Sequence, residues 1–109
     1  MGSILRVICY RPIRKEPVIE TRVRITNRLG LHARAAAILV RTAGRFDSTV
    51  RLVRSDGAAS ADAKSILSVL MLAASRGTEL VLSTDGRDEG DAIAAVSALF
   101  ANGFGENEP

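Results

Sequence analysis

Residues 18–39 read VIETRVRITNRLGLHARAAAIL, and the change of period inside this stretch decides the fold. From 18 to 26, Ile19, Thr21, Val23 and Ile25 alternate with Glu20, Arg22 and Arg24, the period of two that marks a strand with one buried face. Asn27 and Gly30 signal a turn, and from Ala33 the run ARAAAILVRTAG is helix-forming as far as Gly44, which reads as the C′ residue. Strand, turn and helix in direct succession put His32, the single histidine, at a helix N-terminus.

Downstream, residues 47–54 (DSTVRLVR) read as a second strand, and SDGA at 55–58 turns the chain into a short third strand before Asp62. Residues 63–75 (AKSILSVLMLAAS) read as a short helix that Arg76 and Gly77 end. TELVLST at 78–84 alternates as a fourth strand, Asp85 and Gly86 turn the chain, and DEGDAIAAVSALFA at 88–101 is an acid-started helix. The order βαββαβα, with antiparallel turns, predicts a two-layer α+β domain whose helices cover one sheet face. Upstream, Pro12 and Pro17 lie among Arg11, Arg14 and Lys15, so residues 1–17 read as an N-terminal extension, 18–104 as the domain and 105–109 as a C-terminal tail.

A chain of 109 residues, 47% hydrophobic and 25% charged, fits one soluble globular domain, with no apolar run near the roughly 20 residues a spanning helix needs. The N-terminus MGSILRVICY lacks a secretory pattern, because Arg6 breaks its short apolar stretch, and a cytoplasmic location is expected. The lone Cys9 has no internal disulfide partner, and no Cys/His spacing suits a metal. Charge is uneven: residues 1–54 hold 12 basic and 3 acidic side chains, residues 55–109 hold 3 and 9. Aromatics make up only 4% and tryptophan is absent, which argues against stacking on nucleic acid, whereas a basic half suits an acidic or phosphorylated protein partner.

No Walker-type loop, no second histidine for a nucleophile–base set and no paired cysteines occur, so His32 is the strong chemical candidate. An imidazole at a helix start accepts a phosphoryl group on a ring nitrogen, where free backbone N–H groups and the positive dipole end receive its oxygens. Arg34, two residues on, adds a guanidinium that binds phosphate oxygens with directed hydrogen bonds. The same residues also read blandly: a lone histidine at a helix start serves as a cap, and a helix arginine is commonly solvated. Residues 66–72 carry Ile66, Leu67, Val69, Leu70, Met71 and Leu72, more apolar side chains than one buried stripe requires, so some are expected at the surface unless the whole set is core.

NRLGLHARAAAIL at 27–39 resembles the active-site segment of the HPr family of phosphotransferase-system phosphocarriers. The resemblance extends to SADAKSIL at 60–67 and RGTELVLSTDG at 76–86, and covers about residues 20–104. It implies an open-faced β-sandwich, a four-stranded antiparallel sheet covered on one face by three helices, in agreement with the order read from periodicity. It further implies a carrier rather than an enzyme: His32 phosphorylated on Nδ1 by enzyme I or its nitrogen-related paralogue, Arg34 stabilising the phosphoryl group, and an enzyme IIA domain as acceptor, with no metal or cofactor. Ser65 resembles a serine that an ATP-dependent kinase modifies in some members and a phosphorylase restores; its local reading is a helix-start hydroxyl. Ile66, Leu67 and Leu70, beside Ala33, Ala37 and Val40, would form the partner-binding surface. Most members have proline where this chain has Ala35, which pre-sets the helix start. The form NRLGLHARAA and the terminal ALFANGFGENE look closest to the nitrogen-related branch, NPr. A different class of function is a regulatory binding module, in which the phosphorylation state of His32 controls a target enzyme.

Overall fold

The computed structural model describes residues 5–8 and 18–106. Strands β1 (Leu5–Ile8), β2 (Val18–Arg24), β3 (Thr49–Arg54), β4 (Ser60–Asp62) and β5 (Glu79–Asp85) form one antiparallel sheet in the order β1-β2-β5-β3-β4. Helices α1 (Ala33–Ala43), α2 (Ile66–Leu70) and α3 (Glu89–Ala101) complete the architecture. The four strands and three helices read from the sequence are all present as an open-faced α+β sandwich, and a fifth strand, β1, pairs along the outer edge of β2. Four residues, LRVI, are too short for periodicity to register, and β1 falls inside the segment read as an extension.

Register turns the period-two pattern into a core. Thr21 pairs with Leu82, Leu82 with Leu52 and Leu52 with Ala61, so one row of side chains crosses four strands on one face. All four are buried, and Leu52 and Leu82 are each worth about 1.5–3 kcal/mol as fully buried aliphatic side chains. Adjacent positions Arg22 and Arg51 face the other way and are exposed. Leu39 from α1, Val69 from α2, and Val96 and Phe100 from α3 cover the apolar face.

Several boundaries move for local reasons. Strand β3 starts at Thr49 rather than 47, because the Asp47 and Ser48 backbone N–H groups donate to the Asp88 carboxylate at 2.9 Å each and are lost to a ladder. The 63–75 helix shrinks to α2, Ile66–Leu70. Asp62 accepts from the Lys64 and Ser65 amides in a tight turn, Ser65 Oγ accepts from Ser68 N at 3.3 Å as the cap, and Ala73 leaves the helical region at φ +51°. Gly44 ends α1 as its C-cap in the right-handed region, its N–H bonded to Val40 O at 2.9 Å, and not as a left-handed C′ residue.

Candidate functional site

The loop between β2 and α1 is built to hold one side chain still. Asn27, 2% exposed, donates from Nδ2 to Gly30 O at 2.8 Å, and Gly30 N donates back to Asn27 O at 3.2 Å. Gly30 has φ +69° and lies so close to the turn after α2 that a Cβ there would meet Ala74 O at 2.6 Å. Leu31 is buried and donates its N–H to Ala74 O at 3.0 Å, pinning the loop one residue before His32.

His32 is the N-cap of α1: its carbonyl accepts from Ala36 N at 2.8 Å, and its Nδ1 accepts from Arg34 N at 3.3 Å. A ring nitrogen that accepts carries a lone pair rather than a proton, so this geometry assigns the ring proton to Nε2. Nε2 lies 2.7 Å from Glu106 Oε2, and the same carboxylate accepts from Asn27 Nδ2 through Oε1 at 3.1 Å. Burial pushes the Glu106 carboxyl up, but the hydrogen bonds from Asn27 and His32 and the positive charge of Arg34 outweigh it and hold the group below its usual range. Arg34 is 75% exposed, with Nη1 3.9 Å from Glu106 Oε2, so it sits over the site while still projecting into solvent. Ala35 is fully buried on the inner face of α1, and the cap supplied by His32 starts the helix without a proline.

Ser65 caps α2 and is half-buried. Ile66, Leu67 and Leu70 are exposed by 44%, 66% and 38%, while Val69 and Leu72 are buried, so the over-apolar segment divides between surface and core. Helix α2 packs against α1, where Ala33 is exposed and Ala37 and Val40 are half-buried. Two apolar side chains join the exposed set: Leu29 at 63%, in the histidine loop, and Met71 at 73%. Met71 belongs to the over-apolar run 66–72, whereas Leu29 is a single leucine in a turn and carries no pattern. Glu106 lies in the segment that reads as a tail, and no local signal distinguishes it from its neighbours Glu108 and Asn107. Asn27 reads in the sequence only as a turn residue; its bridge to Glu106 spans 79 positions.

Among the described residues no group of three His, Cys, Asp or Glu side chains is arranged to hold a metal ion, and no helix is long and apolar enough to cross a membrane. A four-stranded antiparallel core sheet, three helices on one face and an imidazole displayed at the start of the first helix define the class: an open-faced α+β sandwich with one histidine at its surface. The family model for the PTS HPr component phosphorylation site matches residues 19–102. The phosphocarrier protein HPr of Cupriavidus necator is 52% identical over 84 residues, covering 77% of this chain and 92% of that protein. HPr of Pseudomonas aeruginosa is 47% identical over 92 residues, 84% of this chain and 99% of its own. The crystal structure of HPr-C-His from Thermoanaerobacter tengcongensis superposes with a TM-score of 0.76 at 38% identity, over 82% of this chain and 98% of that one. The chain belongs to the PTS HPr family and is a phosphocarrier protein of the phosphotransferase system, not a catalyst.

Proposed function

We propose that His32 Nδ1 is the phosphoryl acceptor and that the chain relays the group, in the cytoplasm, from enzyme I or its nitrogen-related paralogue to an enzyme IIA domain. The observation that carries this reading is the N-cap geometry: the Nδ1 lone pair points at the start of α1, 3.3 Å from Arg34 N. A donor phosphohistidine approaches in line, the Nδ1 lone pair forms the new N–P bond, and the donor's N–P bond breaks with its electron pair returning to the donor ring. The α1 amides and the Arg34 guanidinium receive the phosphoryl oxygens. Transfer onward is the same step in reverse, with His32 as the leaving ring.

Ile66, Leu67 and Leu70, together with Ala33, Ala37 and Val40, form the surface on which both partners dock in turn, and Leu29 and Met71 extend it. Phosphorylation of Ser65 by an ATP-dependent kinase would place a dianion beside Ile66 and Leu67 and repel acidic partners. The test is incubation of the purified chain with each enzyme I paralogue and phosphoenolpyruvate, followed by intact mass spectrometry at neutral and acidic pH. One acid-labile phosphoryl group, lost in His32→Ala and kept in Ser65→Ala, supports the reading, and the faster donor identifies the branch. Labelling that survives His32→Ala overturns it. A labelled chain that no enzyme IIA domain discharges would instead be a regulatory module.

A further inference from the structure

Helix α3 ends at Ala101, and the next residues hook the chain back toward the start of α1. Gly103, Phe104 and Gly105 are all left-handed, at φ +64°, +58° and +77°. Glycine adopts this region freely, whereas a phenylalanine there is strained and persists only where its surroundings over-determine it. The surroundings do so here: Phe104 is 4% exposed and meets Phe100 edge to face at 5.0 Å. The hook delivers Glu106 to His32 Nε2, and Asn27, itself part of the histidine loop, holds the second carboxylate oxygen. A tail residue is thus fixed on the ring nitrogen opposite the proposed phosphoryl acceptor.

We propose that Glu106 is a positioning residue for phosphoryl transfer, holding the ring proton of His32 on Nε2 so that Nδ1 keeps its lone pair, and balancing the ring's positive charge once the phosphoryl group is attached. This rests on the carrier reading of His32. The transfer balances without moving a proton. Nδ1 supplies the pair for the N–P bond, the Nε2 proton stays, and the ring becomes an imidazolium facing the Glu106 carboxylate. On discharge the N–P pair returns to Nδ1 and the ring is neutral again. A carboxylate behind a reacting imidazole plays this orienting and charge-stabilising part in serine hydrolases, where it never takes the proton itself. Arg34 Nη1, 3.9 Å from the same carboxylate, is held near the ring by the same contact.

The experiment compares wild type with Glu106→Gln, Glu106→Asp and Glu106→Ala. Gln keeps an oxygen for Nε2–H but loses the charge, Ala loses both, and Asp restores the charge on a shorter arm. Exchanging a charge-assisted for a neutral hydrogen bond should lower kcat for acceptance from enzyme I about tenfold in Glu106→Gln, with KM unchanged and partial recovery in Glu106→Asp. Ring 15N NMR of the unphosphorylated protein at about pH 9, where an imidazole is neutral, should show Nε2–H alone in wild type and a tautomer mixture in Glu106→Ala. Unchanged kcat and an unchanged tautomer in folded Glu106→Ala, with His32→Ala inactive, would overturn the positioning role and leave the carrier reading intact. Wild type that no donor labels would sink the carrier reading, and the tautomer measurement would still decide what Glu106 does to the ring.

Discussion

Gly30 shows how one residue without a side chain sets the site. Its φ of +69° would cost a residue with a Cβ about 1–2 kcal/mol, and the Cβ would also lie 2.6 Å from Ala74 O and 2.9 Å from Ser75 Cα, both backbone atoms that yield little. Gly30→Ala should therefore lose at least about 2 kcal/mol in urea denaturation. Its labelling by enzyme I should fall further than the loss of folded protein explains, because His32 rides on this loop. Stability loss without a shift in the His32 ring resonances would mean that the loop does not transmit the strain. Asn27 and His32 were legible as a turn residue and a helix-start residue, since those roles depend on near neighbours; the Asn27–Glu106–His32 bridge was not.

At the scale of the elements, α2 presents two faces of opposite character. Leu67 is 66% exposed, so Leu67→Asp should keep the melting temperature within a few degrees while slowing phosphoryl acceptance, mainly through KM for enzyme I. An unchanged KM would remove Leu67 from the docking surface. The start of α3 makes a different prediction. The Ser48 hydroxyl, the Asp47 amide and the Ser48 amide all donate to Asp88, holding its carboxyl at about 2, below the ordinary 3.8. A group depressed on folding stabilises the native state above its unfolded value and loses that stabilisation as pH falls through the folded one. Wild type should thus lose stability between pH 3.8 and about 2, and Asp88→Asn should be less stable at neutral pH and flatter across that window in acid titrations of unfolding. Period-two alternation in 18–26 and 78–84 revealed two of the three inner strands, β2 and β5, whereas α2 was overread because its end depends on Ala73 turning left-handed, a conformation no alanine advertises.

For the whole molecule, the uneven charge along the chain becomes a spatial pattern. Arg34 and Arg41 sit seven residues apart on one stripe of α1, both exposed, and Arg28 is exposed in the histidine loop. A basic rim around an apolar patch should speed encounter with an acidic partner, so the rate of phosphoryl acceptance should fall severalfold as salt rises from about 50 to about 300 mM. A salt-independent rate would assign that rim no part in steering.

The sequence by itself determined the order of the elements from β2 to α3, the buried face of the strands it revealed and the placement of His32 with Arg34 at a helix start. Those features follow from side-chain period, turn residues and capping, all of which act over a few positions. Only the tertiary structure decided which apolar residues of 66–72 stay at the surface, and which acid meets the histidine. Glu106 lies 74 positions from His32, and its place depends on the length of α3, the left-handed hook that follows and the packing of Phe104 against Phe100. Such a contact is the sum of many small geometric choices along the fold, and no short stretch of sequence contains it.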